Sequence, residues 1–347
     1  MKALRTLRRR ILTPDVADTK MDVRGFHVKN DAARERLETI GASFVAGFAA
    51  AAESDRAAAA TGPLEQVPAG FRGFAYEGAA MAFAVRDALR LGQRRHVAEF
   101  LAGEGGRHVY MAYVGVGWAM ARLPRLRWPT LHDKDPLLRW LVLDGYGFHQ
   151  AYFHTTKYVQ QAYRHRDFPW PADHRTDYAT RVIDQGVGRA TWFVGGADPR
   201  RVVRLFEEFA EERRPDLYAG AGLAATYAGG ATREELEWFR DAAGPYRADV
   251  AQGAAFAAGA RDLAGLTMPH NEVATQVFCA MPVVEAARVT DATRVGLSES
   301  ATLPAYGLWR RRTAEVFAES VGTGPSWTDS RAGSRRMSSP QEESEVA

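Results

Sequence analysis

The sequence predicts an all-α protein of stacked helical hairpins, and three observations predict it. Helix-forming segments carry apolar residues at spacings of three and four. Strand signals are sparse: short apolar runs such as Trp140–Leu143 lead straight into Gly-rich helical stretches, without the two-residue turns that join antiparallel strands. A five-residue pattern recurs with an average spacing of 35 residues, room for a helix, a turn and a second helix.

Residues 1–30 read as a basic lead. Lys2, Arg5, Arg8, Arg9 and Arg10 are followed by Ile11, Leu12 and Thr13 and then by Pro14, so no apolar core of a secretory signal develops. Residues 31–318 read as a single helical domain. It opens with a helix over Ala32–Ala52, whose apolar or small stretch from Ile40 is too short to span a membrane. Further helices are expected over Arg86–Ala102, Arg200–Glu212 and Arg233–Ala243. In the segment LHDKDP, His132, Asp133 and Asp135 read as a turn, with Asp135 capping a helix at Pro136. His270 and Glu272 in MPHNE read as a helix start after Pro269, with Asn271 or Glu272 serving the first turn. Residues 319–347, rich in Ser, Gly, Thr, Pro, Arg and Glu with a single Trp327, are expected to be disordered because they cannot bury enough apolar surface.

The repeat is Gly, any residue, Gly or Ala, a larger residue, then Ala or His. Its copies are GAAMA from Gly78, GVGWA from Gly115, GYGFH from Gly145, GVGRA from Gly186, GAGLA from Gly220 and GAAFA from Gly253. Arg stands six positions before the first Gly in four of them, at Arg72, Arg139, Arg214 and Arg247. The first Gly and the last residue lie on one helix face and allow a neighbouring helix to approach closely. A Gly inside a helix costs about 1 kcal/mol relative to Ala, which close packing has to return in every copy. The expected result is a curved or closed helical array.

Composition excludes several function classes. Lys plus Arg is 45 against 42 for Asp plus Glu, a net charge of +3 that makes no basic stripe for nucleic acid. The basic lead is the one place expected to touch an anionic membrane surface or a membrane partner. The single Cys279 rules out an internal disulfide, a CxxC pair and a cysteine-rich zinc site, and a reducing cytoplasm is the expected setting. No GxSxG occurs, and the GxG pairs lack the third Gly and the strand of a dinucleotide site. His149 and His154 are five apart, about 140° round a helix, and no HExxH or ExxH spacing is present, so no metal set is expected. Nothing in the residues specifies a cofactor.

The candidate site comes from the places where the repeat departs from itself. Five copies end in Ala and the third in His149. The fourth position is Met81, Trp118, Phe148, Leu223 or Phe256, but Arg189 in the fourth copy. Glu77, Asp144 and Gln185 precede the first Gly of three copies, with Asp184 beside Gln185. One reading brings Glu77, Asp144, His149, Asp184 and Arg189 together as a catalytic polar cluster in a central aromatic cavity. The other pairs Glu77 and Asp144 with Arg72 and Arg139 as scaffold salt bridges and makes His149 a core residue. Twelve aromatic rings from Trp140 to Phe193 suit a flat, conjugated or polyene ligand if they do not simply form the core.

Five blocks carry a resemblance: GFRGFAYEGAAMAFAVRDAL within Ala69–Leu89, RHVYMAYVGVGWAMARLPR at Arg107–Arg125, DPLLRWLVLDGYGFHQAYFH at Asp135–His154, DQGVGRATWFVGGAD at Asp184–Asp198 and AQGAAFAAGARDLAG at Ala251–Gly265. Over about Phe26–Phe317 the chain resembles the UnbL family, the uncharacterised-domain proteins encoded beside the iterative polyketide synthase in enediyne biosynthesis clusters. The resemblance implies action with that synthase, its thioesterase and two further accessory proteins, one of them a membrane protein, in turning a linear polyene into the enediyne core. It brings no catalytic residues with it. Two functions therefore stand side by side. One is an enzyme, or a component of a multi-protein enzyme, that modifies the polyene or polyyne with His149 handling protons. The alternative is a non-catalytic carrier or scaffold that shields the intermediate and docks the other pathway proteins.

Overall fold

The computed structural model describes residues 2–89, 95–130, 135–170, 175–298, 300 and 302–321, and the fold is all-α, with no strand among the described residues. In chain order the helices are α1 (Lys2–Leu12), α2 (Met21–Arg24), α3 (Asp31–Glu53), α4 (Ala58–Glu65), α5 (Ala69–Leu89), α6 (His96–Ala102), α7 (Val109–Arg122) and α8 (Leu141–Phe153). They continue with α9 (Thr176–Val194), α10 (Pro199–Glu207), α11 (Arg214–Ala228), α12 (Arg233–Ala242), α13 (Arg247–Leu263), α14 (Pro269–Cys279), α15 (Val283–Arg294) and α16 (Ala305–Val321). The longer helices α3, α5, α7, α8, α9, α11 and α13 form a row, each packed against its predecessor in that order.

The repeat explains the row. The first Gly of each copy faces the preceding helix: a Cβ on Gly115 would lie 2.1 Å from the Glu77 carbonyl oxygen, and one on Gly145 2.0 Å from that of Val114. The second Gly faces the following helix: a Cβ on Gly117 would meet the Val142 oxygen at 2.1 Å, and one on Gly147 the Ile183 oxygen at 2.2 Å. The same alternation holds at Gly186 and Gly188 and at Gly220 and Gly222. Each GxG helix is thus flanked on both sides by backbone at distances that exclude any side chain.

Three of the four repeated arginines fasten the turn that leads into their helix. Arg72 donates to the Val67 carbonyl and pairs with Glu65; Arg214 donates to the carbonyls of Phe209 and Glu207; Arg247 donates to those of Arg240 and Asp241. The scaffold pairing of Glu77 with Arg72 is therefore not formed, because Arg72 is turned back toward Glu65.

The row curls until its far members meet its beginning. Arg261 of α13, fully buried, donates to the Gly70 carbonyl at the start of α5 at 3.1 Å and to the Tyr227 carbonyl of α11 at 2.7 Å. Arg36 of α3 reaches the Ala228 carbonyl at the end of α11. Along the open flank, α16 inserts Tyr306 and Arg310; the latter pairs with Asp216 of α11 at 2.8 Å.

Three sequence expectations change. The helix over Arg86–Ala102 is two helices, because Asp87 turns its carboxylate onto the backbone N–H groups of His96 and Val97, each at 3.0 Å, and starts α6 there. The helix expected to Glu212 ends at Glu207, where Arg214 takes the terminal carbonyls. The final helix runs to Val321, past the expected start of the tail at 319, and residues 322–347 lie outside the described residues. The basic lead packs onto the domain: Arg8 donates to the Glu53 and Ser54 carbonyls at 2.9 Å, capping α3 with α1. Asp135 accepts from the N–H groups of Leu137 and Leu138 as the sequence suggests, whereas His132 and Asp133 lie outside the described residues. No described helix is long and apolar enough to cross a membrane.

Candidate functional site

In each copy of the repeat, the residue before the first Gly and the fourth motif residue are four apart and share one helix face. That face looks into the space enclosed by the curled row. Met81, Trp118, Phe148 and Arg189 line a first pocket. Arg189, Leu223 and Phe256 line a second pocket. The next turn continues each face, with Arg122, Tyr152 and Phe193 in the first pocket and Tyr227 and Ala260 in the second. One register of one motif thus builds the wall of both.

The first pocket has a charged mouth and a mostly apolar wall. Asp15, Asp18 and Arg122 are exposed at its rim, while Glu77, His149 and Arg189 are buried. Between them stand Phe44, Phe74, Trp118, Phe148, Tyr152 and Phe153. Trp118 organises this wall, tilted against Phe44 at 4.5 Å between ring centroids and against Phe148 at 5.2 Å, and edge-on to His149 at 5.5 Å. Of the twelve rings noted in the sequence, Phe148, Tyr152, Phe153 and Phe193 reach this pocket. Others pack among themselves, as Trp140 does with Trp170 and Tyr178.

Three of the five candidate residues form a buried charge cluster. The Arg189 guanidinium donates to one oxygen of Asp144 and lies over the Phe148 ring, 5.1 Å from its centroid. The other Asp144 oxygen accepts from the Gln185 side-chain amide at 2.6 Å, and that amide also approaches the Tyr306 hydroxyl at 3.3 Å. Burial would lower the Arg189 pKa, but the Asp144 and Glu77 carboxylates outweigh it and raise it, so the guanidinium is a fixed positive charge. Glu77 is 3% exposed. Burial pushes its carboxyl up to about 7; Arg189 opposes the rise, Asp144 adds to it, and the Trp118 indole opposes it.

His149 reaches the same pocket but stands apart from the cluster. Burial drives its pKa down to about 3, with the nearby positive charges of Arg122, His154 and Arg24 adding to the effect, so the ring is neutral at physiological pH. Its Nδ1 is buried and has no hydrogen-bond partner among the described residues. Asp184 lines neither pocket. It is held by Arg213 through bonds of 3.0 and 2.6 Å, and Arg213 also reaches the carbonyls of Ala162 and Tyr163, making this pair a brace between α9 and the turn before α11.

Sequence reasoning missed the second pocket and Tyr227 within it. The signal was present: Tyr227 lies four residues after Leu223, as Phe193 does after Arg189, so extending the register by one turn finds both. Cys279 is buried, and burial raises its thiol pKa steeply, which leaves it inert at neutral pH. At the foot of the first pocket, then, a carboxyl that exchanges its proton near neutrality sits beside a fixed cation, below aromatic walls.

The family described as "Protein of unknown function (DUF1702)" has a model that matches residues 3–317. No curated protein and no solved structure matches the chain.

Proposed function

We propose a function for this chain, which belongs to the DUF1702 family: it takes a polyketide-derived polyene or polyyne into its helical ring during enediyne biosynthesis and carries out proton transfer on it. The position of Glu77 carries this reading. A carboxyl with a pKa near 7 at the base of an aromatic pocket suits a general acid and base working at neutral pH. The Glu77 carboxylate takes a proton from one carbon of the conjugated chain, leaving a delocalised carbanion, and the carboxylic acid so formed returns the proton to another carbon. The multiple bonds shift while atoms and electrons balance and no cofactor is consumed. Arg189 stabilises negative charge on the carboxylate and on the chain. His149, neutral and with a free ring nitrogen, is a hydrogen-bonding contact for the ligand, and the proton-handling role passes to Glu77.

The resemblance of five sequence blocks to UnbL-like proteins supports the pathway, with the iterative polyketide synthase and thioesterase as the source of the chain and the accessory proteins, one of them in the membrane, as partners. A buried, unpaired cysteine suits a reducing cytoplasm. The carrier reading is favoured by a different observation: apart from Glu77, His149 and Arg189, most of the deep wall of the first pocket is apolar. One experiment separates the two. The protein is co-expressed with the synthase and thioesterase, and the chain that co-purifies is identified by native and high-resolution mass spectrometry. An altered chain with the wild type, and an unaltered one still bound to Glu77→Gln, is expected. An unaltered chain with both proteins would establish the carrier, and no bound chain with either folded protein would overturn the site.

A further inference from the structure

We propose that one elongated ligand occupies both pockets at once, with its polar head at the mouth of the first and its uncharged tail passing Arg189 into the second. This rests on the reading of the ring interior as the ligand site and adds to it the ligand's shape, polarity and direction of entry.

The lining argues for continuity. The fourth motif position supplies the wall of both pockets, from Met81 through Phe148 to Phe256, and Arg189 belongs to each. The two pockets therefore meet at Arg189, beside the contact between Phe74 of the first and Tyr227 of the second. Arg189 is hydrogen-bonded through one nitrogen to Asp144, and its Nε is buried with no hydrogen-bond partner among the described residues. Set over the Phe148 ring, it offers a flat cationic face that a conjugated chain can slide across.

Charge fixes the direction. The charged residues of the second pocket are Asp144 and Arg189, and they pair with each other. A carboxylate or phosphate placed there would find no free cation, whereas Met111, Leu223, Phe256 and Trp309 suit a hydrocarbon end. The charged rim of Asp15, Asp18 and Arg122 lies at the first pocket, where a polar head stays hydrated. Tyr227 refines the preference. It is 3% exposed and lines the second pocket, and its hydroxyl has no hydrogen-bond partner among the described residues. That hydroxyl packs against Gly73 of α5, and the Tyr227, Phe256 and Trp309 rings give the tail an aromatic wall that suits unsaturated carbon. The ligand class is a long, unsaturated amphiphile with one polar head, bound tail first.

The test compares a long and a short conjugated acid. Binding of cis-parinaric acid is followed by its fluorescence and binding of sorbic acid by titration calorimetry, on the full chain and on Leu223→Trp, which narrows the second pocket. Leu223→Trp is expected to weaken the long acid by about tenfold while changing the short acid by less than about twofold. Phe256→Ala, which widens the same pocket, is the second variant. It is expected to favour docosahexaenoic acid over parinaric acid in competition relative to the wild type. An equal change for both acids in Leu223→Trp, or unchanged chain-length preference in Phe256→Ala, would overturn threading while leaving the first pocket as the ligand site. Failure of the wild type to bind either acid would overturn the ligand reading itself and this inference with it.

Discussion

Glu77 makes the stability of the protein depend on pH in a direction opposite to that of an ordinary salt-bridged carboxylate. Its pKa rises from the model-peptide value of 4.5 to about 7 on folding, so the folded state holds its proton more tightly than the unfolded chain does. The stabilising contribution is fully present below pH 4.5 and is lost as pH rises through about 7. Glu77→Gln removes that dependence. The variant is expected to gain stability over the wild type progressively between pH 5 and 8, by roughly 1–3 kcal/mol at the upper end, in urea titrations at a series of pH values. Arg189 and Asp184 test two different roles. Arg189→Ala leaves Asp144 buried without its cation and is expected to cost about 3–5 kcal/mol, whereas the joint change Arg189→Met with Asp144→Leu recovers much of it, as denaturation of the two variants would show. Asp184→Asn is expected to lower stability without changing ligand affinity, since its partner Arg213 lies outside both pockets. His149 and Arg189 were legible in the sequence because each breaks a pattern, one bulky where Ala recurs, the other charged where apolar residues recur. Asp184 was misplaced for a simple reason: it is about 100° round α9 from Gln185, and adjacency in sequence put on one face what the helix puts on two.

Among the elements, the paired glycines decide whether the helices can lie side by side. Gly145→Ala would set a methyl group 2.0 Å from the Val114 carbonyl oxygen, with backbone on the far side at Gly147, so α8 has nowhere to retreat. A loss of about 3 kcal/mol or more is expected, or failure to fold. Gly62 is the control: it sits inside α4 with nothing within 4 Å of the added carbon, and Gly62→Ala is expected to stabilise by about 0.5–1 kcal/mol. Thermal and urea unfolding of the two variants would check the contrast, which helix propensity alone would score as equal. The motif showed that close packing occurs and at which positions. It did not show that the first and second glycines serve different neighbours, since that requires knowing which helix lies on each side. Helix ends were less legible than helix bodies for a related reason. Asp87 and Arg214 end or begin helices through side chains that, in sequence, look like ordinary polar residues of a continuing helix.

For the whole molecule, the question is whether the helices form an open stack, unfolding piece by piece, or a ring that opens as a unit. Nothing in a local repeat distinguishes these, because closure depends on contacts such as Arg261 with Gly70, 191 residues apart. Arg261 is the best place to ask. Its guanidinium ties the start of α5 to the end of α11, lies 3.9 Å from the centroid of the Tyr227 ring, and is buried where no water can replace its bonds. In an open stack each helix would be supported only by its neighbours, and terminal helices would fray at free energies well below the global value. Ring closure instead couples α5 to α11 and α13, so their amide protons should exchange through the same global opening in native-state hydrogen exchange. Arg261→Met keeps much of the side-chain bulk but leaves the Gly70 and Tyr227 carbonyls without their donor. Its expected effect is a loss of about 2–4 kcal/mol and, more tellingly, separation of the exchange of α5 from that of α13, because the row can then open at its seam. Uniform loss of protection across all row helices in Arg261→Met would show that the seam adds stability without setting cooperativity.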